Sequence, residues 1–136
     1  MNSLGVFCAL TSFLNIWFGH VAVRFIEART NNIKLPAGIF VLAGLILIYL
    51  AGAASNTLSS SIFGISGLIT LWDSIELFRQ EKRVIKGHAP ANPGNPRHKK
   101  ILLEYSDASQ FNFLAREPRG FPYSQKELKT IQKGKP

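Results

Sequence analysis

The sequence predicts an all-α membrane protein with three transmembrane helices, an N-terminus outside and a basic C-terminal tail in the cytoplasm. Two observations lead to this fold class. Nearly all apolar residues lie between Leu4 and Phe78. From Arg79 onward there are 13 Lys and Arg residues against 5 Asp and Glu, which equals the whole net charge of +8. Such segregation is typical of a membrane-embedded unit with a soluble tail, not of a globular domain with a mixed surface.

Three apolar segments are long enough to cross a bilayer. Because an α-helix rises 1.5 Å per residue, roughly 20 residues span a hydrocarbon core of about 30 Å. The segments predict helices at about 4–25, 35–54 and 57–86. The second segment carries no charged residue. A soluble helical bundle would need polar outer faces on its helices, and this segment has none.

The basic residues that flank the helices predict their orientation. The first link, about residues 27–34, is flanked by Arg24, Arg29 and Lys34, whereas the second link has no charge. More basic residues follow the third helix. Because Lys and Arg favour the cytoplasmic side, the N-terminus is expected outside and the C-terminus inside.

Composition divides the chain into three parts. A three-helix transmembrane unit is expected over residues 1–87, with Gly87 as the helix stop. A proline-rich spacer over residues 88–97 should run extended, with His88 and His98 solvated at its ends. The cytoplasmic tail over residues 98–136 has too little apolar material for an independent core. Within it, residues 124–127 have the form of a helix-capping box.

Ionisable residues within two of the apolar helices predict an intramembrane polar cluster. Such residues are costly in a bilayer, so each needs a partner or a role. The first and third helices cross the membrane in the same direction, and their ionisable residues lie at similar depths. We therefore expect the ionisable residues of the first helix to lie close to those of the third. The cluster consists of His20, Arg24, Glu27, Asp73 and Glu76. Three interpretations stay open: a pin between two helices, a site for a lipid headgroup or small ion, and a path for protons or substrate.

The basic residues beyond the third helix are expected to contact lipid or protein partners. A basic segment directly after a hydrophobic helix is better explained by anionic headgroups than by nucleic acid. The expected headgroup or partner contacts are Arg79, Lys82, Arg83, Lys86, Arg97, Lys99 and Lys100.

The sequence gives no sign of an enzyme, a metal site or a cofactor site. The single cysteine, Cys8, excludes an intrachain disulfide. His20 is the only histidine in the apolar segments, so one chain cannot supply a bis-histidine haem site. No nucleophile–base set or phosphate loop is present. We therefore expect a non-catalytic protein without a cofactor.

One part of the sequence resembles a known family. The C-terminal signature of a small bacterial membrane-protein family, domain of unknown function 4491, is similar to residues Leu71–Gly87 and the following Pro90, Asn92 and Pro93. The Gly19-His20 pair and the region of Glu27 look like that family's first-helix motif. The resemblance covers about residues 1–98. It implies a three-helix protein of the bacterial cytoplasmic membrane and no catalytic residue.

Two functions are compatible with these features. The first is an accessory or scaffolding subunit of a larger membrane complex, in which the chain finishes folding on other subunits. The alternative is a small oligomeric transport or ion-handling protein that uses His20, Arg24, Asp73 and Glu76. Stoichiometric membrane-protein partners would favour the first, and self-association alone would favour the second.

Overall fold

The computed structural model of the chain describes residues 3–112 together with residues 126, 127 and 129. Within residues 3–112 it contains four α-helices and no strand. The helices are α1 (Ser3–Arg29), α2 (Lys34–Ala53), α3 (Thr57–Ile85) and α4 (Pro96–Glu104). The first three are long and apolar enough to cross a membrane. The predicted all-helical fold with three apolar helices is therefore confirmed, while α4 was not predicted.

The chain divides into two compact units. The first unit contains residues 1–27 and 32–78, and the second contains residues 28–31 and 79–136. Helices α1 and α3 therefore each begin in the first unit and end in the second. The domain boundaries expected from composition, at residues 87 and 97, stay a prediction.

In the first unit, α1 buries one narrow face. Its buried residues Gly19, Val23 and Glu27 are spaced by four, so they lie above one another on the helix surface. Val23 packs in a small apolar core with Leu77 of α3 and with Ile33 and Ala37 at the start of α2. One buried stripe on a helix of this length leaves most of its surface outside the core.

Helices α2 and α3 form an antiparallel hairpin that depends on small residues. A Cβ built at Gly44 would lie 2.9 Å from the carbonyl oxygen of Gly67, and one at Gly67 would lie 3.0 Å from the carbonyl oxygen of Gly44. Near the link, the Ser60 hydroxyl donates a 2.9 Å hydrogen bond to the Ala51 carbonyl. The two backbones therefore approach closely, as small residues permit between apolar helices.

The outer surface of α2 is apolar all the way round. Its mean hydropathy is 2.3 over the most apolar window, and only 11% of that window is buried. Large apolar side chains exposed on it include Leu35, Ile39, Leu42, Leu45, Ile46 and Tyr49. Water is a poor solvent for such a surface, whereas hydrocarbon is a good one.

Within the second unit, α3 ends at the predicted stop. Gly87 has a φ of +70°, a left-handed conformation that glycine adopts without steric cost. The Gly87 amide donates to the Val84 carbonyl and the His88 amide donates to the Arg83 carbonyl. This pair of bonds is a Schellman motif, so the expectation that Gly87 stops the helix is confirmed.

The segment after Gly87 differs from the expected extended spacer. The Asn92 side-chain oxygen accepts a hydrogen bond from the Gly94 amide, and the Asn92 carbonyl accepts one from the Asn95 amide. The chain therefore turns, and Pro96 then opens α4 at a position where its missing N–H costs nothing.

Helix α4 packs into a core of its own unit. This core consists of Val84, Ala91, Ile101, Leu102 and Ala108. The composition of the tail had suggested too little apolar material for independent packing, but residues from the end of α3 supply part of it. The capping box expected at residues 124–127 falls largely outside the described residues.

Candidate functional site

The first unit contains a groove between α1 and α3 with a volume of about 550 Å³. Most of its lining is apolar. The ionisable side chains that line it are His20 from α1 and Asp73 from α3. The remaining lining residues are Ile16, Leu68, Ile69, Leu71, Trp72 and Ile75. The groove therefore combines an apolar surface of ligand size with two groups that can carry charge.

Asp73 lies directly against the backbone of α1. A Cβ built at Gly19 would stand only 2.5 and 2.6 Å from the two carboxylate oxygens of Asp73. Any side chain at position 19 would therefore require the Asp73 carboxylate to move. The sequence had indicated the Gly19-His20 pair but not this role of Gly19. The available signal was a glycine one residue before a histidine in an apolar helix.

The structure places two other residues of the predicted cluster within electrostatic range of Asp73. The Asp73 carboxylate interacts electrostatically with both His20 and Glu76. It accepts no hydrogen bond from any described residue. His20 is exposed, Asp73 is partly buried and Glu76 is buried.

Arg24 and Glu27 occupy different surroundings. Arg24 is exposed and forms no hydrogen bond or ion pair within the described part of the chain. The buried face of α1 is centred on Gly19 and Val23, and Arg24 lies one residue, or about 100°, further round the helix. Glu27 lies on the buried face itself and is 1% exposed. The structure therefore does not bring Arg24 to the Asp73 carboxylate.

The second unit contains a polar network that sequence reasoning missed. The side-chain nitrogen of Asn92 donates to the Ala28 carbonyl at 2.8 Å. The side-chain nitrogen of Asn95 donates to the carbonyls of Ala28 and Thr30, at 3.2 and 3.1 Å. These carbonyls stand at and just beyond the end of α1, where no helical N–H reaches them. Two asparagines that each precede a proline were the available signal.

Arg97 and His98 complete this network. Arg97 donates from Nε to the Thr30 carbonyl at 3.2 Å and forms a 2.5 Å ion pair with Glu81. The His98 Nδ1 accepts a 2.8 Å hydrogen bond from the Asn92 amide, and its side chain is completely buried. The prediction that His98 is solvated is therefore wrong, because its ring satisfies a backbone amide inside the unit.

The predicted headgroup contacts differ in accessibility. Arg97 is partly buried in the network, so its guanidinium is engaged within the protein. The other six predicted contacts are exposed: Arg79, Lys82, Arg83, Lys86, Lys99 and Lys100. Within the described residues, no group of three or more His, Cys, Asp or Glu side chains could hold a metal ion.

Comparison with family models identifies the family of the chain. A family model described as Domain of unknown function (DUF4491) matches residues 2–95. This range includes the groove and both asparagines of the network, but it ends just before α4. No curated protein and no solved structure matches the chain.

Proposed function

The chain belongs to the family described as Domain of unknown function (DUF4491), and from this premise we propose that it is a non-catalytic integral membrane protein that serves as an accessory or scaffolding subunit of a larger membrane complex. The family description names no activity, so the chain's own residues must support this role. Helices α1 to α3 act as the anchor. The second unit acts as the part that other components recognise.

The observation that carries this proposal is the folded state of the second unit. On α4, Ile101 and Leu102 are buried in its core, whereas Lys99 and Lys100 are exposed. The buried Asn95 side chain caps this helix and donates hydrogen bonds to the Ala28 and Thr30 carbonyls, which fixes the backbone that carries the lysines. Charges on a fixed backbone lose less conformational entropy on binding than charges on a disordered tail. A fixed basic surface therefore suits recognition of an acidic partner.

The same surface supports the proposed membrane and lipid partners. We propose a multi-pass protein of the bacterial cytoplasmic membrane whose basic residues face anionic headgroups. Each Lys or Arg near an anionic surface contributes about 1 kcal/mol to attraction. Charge located directly after an apolar helix favours headgroups or membrane-protein partners over nucleic acid.

Purification of the full chain in mild detergent tests the role. We expect another membrane protein to copurify at fixed stoichiometry, as measured by light scattering and mass spectrometry. The double variant Lys99→Glu/Lys100→Glu should lose this partner, because it reverses two exposed charges. Lys99→Arg/Lys100→Arg is the matched control and should retain it, since the charge is kept.

The outcomes separate the proposed role from its alternatives. Equal recovery of the partner with both double variants would show that the basic surface of α4 is not the contact. A chain that purifies alone or as a homo-oligomer would contradict the accessory role.

The groove favours a second candidate, a small oligomeric ion-handling protein. Intramembrane carboxylates and histidines do form proton relays, and the groove contains one of each. Proton flux into liposomes that contain the purified chain would test this role. Flux that depends on Asp73 and His20 would support it, and flux equal to that of empty liposomes would exclude it.

A further inference from the structure

We propose that the groove between α1 and α3 binds a cationic amphiphile, a molecule with one ammonium group and an apolar body, through an ion pair between that ammonium and the Asp73 carboxylate. This site is independent of the accessory role. It needs only residues of the first unit.

The size and lining of the groove set the class of ligand. Its volume of about 550 Å³ lies within the range of small-molecule sites, roughly 300–1,000 Å³. Apolar side chains such as Ile16, Leu68 and Ile75 line it. These residues are also exposed on the outer surface. An apolar body can therefore enter from the hydrocarbon side without crossing a polar rim.

The carboxylate sets the sign of the ligand's charge. Asp73 is packed against Gly19 and accepts no hydrogen bond from the described residues. A carboxylate in apolar surroundings is costly unless an opposite charge accompanies it. His20, the other ionisable residue in the lining, lies within electrostatic range of Asp73 but is exposed and forms no ion pair or hydrogen bond with it among the described residues. An ammonium group that enters the groove can therefore contact the carboxylate directly.

Two further features favour a cation over other occupants. The Asp73 carboxylate disfavours an anion in the groove, and a second carboxyl group, that of Glu76, lies within electrostatic range of Asp73. An uncharged acyl chain would cover the carboxylate without neutralising it. Trp72 also lines the groove, and indole is the side chain that attracts cations most strongly through its ring. Charge and aromatic character therefore both favour an ammonium ligand.

Tryptophan fluorescence of the full chain in phosphatidylcholine liposomes tests the proposal. The chain has two tryptophans, so Trp17→Phe leaves Trp72 as the only reporter, and this single variant is the reference. The probes are octyltrimethylammonium, octanesulfonate and 1-octanol, which share a chain length and differ in charge. We expect a saturable change with the cation and only linear partitioning with the other two.

Variants of the groove connect the signal to its residues. Asp73→Asn should weaken the apparent affinity for octyltrimethylammonium by roughly 10- to 100-fold, as expected when a charge-assisted contact is lost. Asp107→Asn removes an exposed carboxylate of the second unit and should leave the affinity unchanged. Ile16→Phe narrows the groove without altering its charge and should also weaken binding.

Three results would overturn the proposal. The first is equal affinity in Asp73→Asn and the reference. The second is saturable binding of 1-octanol at the same concentrations, which would indicate an apolar site without charge selectivity. The third is undiminished affinity for the cation in Ile16→Phe, which would show that the groove is not the binding site. This variant decides the question if circular dichroism shows that Asp73→Asn is not folded.

Discussion

The Asn95 side chain forms three hydrogen bonds. Its oxygen accepts a hydrogen bond from the Arg97 amide, which caps the N-terminus of α4. Its nitrogen donates to two carbonyls, those of Ala28 and Thr30. The side chain is only 3% exposed. Water therefore cannot replace these bonds when they are lost. A side chain of the same shape that lacks the amide N–H donors should not stabilise the unit equally well.

Replacing Asn95 with aspartate should destabilise the second unit. The variant keeps the capping oxygen but loses both donated bonds and turns a carboxylate towards two carbonyl oxygens. We expect a loss of about 1–3 kcal/mol in the free energy of unfolding, with faster amide hydrogen exchange in α4. Hydrogen exchange followed by mass spectrometry would measure this local opening.

Asn56→Asp is the matched control for this variant. The Asn56 oxygen caps α3 by accepting from the Ser59 amide at 2.9 Å, and Asn56 is exposed. Asparagine and aspartate cap helices almost equally well, so stability should change by less than about 0.5 kcal/mol. Equal effects of the two variants would contradict the assignment of the amide nitrogen of Asn95 as the donor.

At the scale of elements, small residues decide how α2 meets α3. Gly44 and Gly67 oppose each other across the hairpin, whereas Gly52 on the same helix as Gly44 has no atom within 4 Å of a built Cβ. Apolar helices gain no hydrophobic advantage from pairing within hydrocarbon, so close packing carries much of their association. Gly44 is therefore part of the interface between the two helices, whereas Gly52 is not.

Gly44→Ala should separate the hairpin locally. Its methyl group would meet the Leu71 side chain at 2.7 Å and the Gly67 carbonyl at 2.9 Å. We expect this overpacking to lower the free energy of unfolding by about 1–3 kcal/mol, which thermal unfolding in detergent would measure. Gly52→Ala should be neutral or stabilising by about 0.5–1 kcal/mol, because alanine favours helix. A stabilised Gly44→Ala variant would disprove the close crossing.

Two adjacent leucines of α4 report on the core of the second unit. Leu102 is 8% exposed and Leu103 is 74% exposed. Leu102→Ala should cost about 2–5 kcal/mol in the free energy of unfolding, whereas the exposed Leu103→Ala should change it by less than about 0.5 kcal/mol. Hydrogen exchange of residues 84–108 would show the difference. Equal protection in both variants would mean that α4 does not pack as described.

For the whole molecule, the proposed orientation has the N-terminus outside and the C-terminus in the cytoplasm. It rests on basic residues at the first link and after α3, and on the uncharged second link. A net excess of Lys and Arg on one side resists translocation. The link at Asn56 is therefore predicted to lie outside, and the helix that carries Lys99 is predicted to lie in the cytoplasm.

Cysteine labelling in intact cells would measure the orientation. In a Cys8→Ser background, Asn56→Cys should react with a membrane-impermeant maleimide, and Lys99→Cys should react only after permeabilisation. Both positions are exposed, so protein packing does not limit the reaction. Labelling of Lys99→Cys in intact cells with protection of Asn56→Cys would reverse the proposed topology.

The sequence by itself determined the elements whose cause is local. The apolar segments predicted α1 to α3 to within a few residues. The length of an uninterrupted apolar segment can be read directly from the sequence, and it decides whether a helix can span a bilayer. Gly87 likewise predicted the end of α3, since its left-handed backbone requires no distant partner. The family resemblance over about residues 1–98 also follows from local motifs, and the family match over residues 2–95 confirms it.

Only the tertiary structure decided which residues meet across elements. Spacing along α1 placed His20 and Arg24 on one face, but the rotation of that helix directs Gly19 and Val23 inward and leaves Arg24 exposed. The pairing of Asn92 and Asn95 with carbonyls more than 60 residues away has no counterpart in local sequence. Helix rotation and long-range hydrogen bonds depend on packing of the whole chain, and periodicity within one segment carries no information about either.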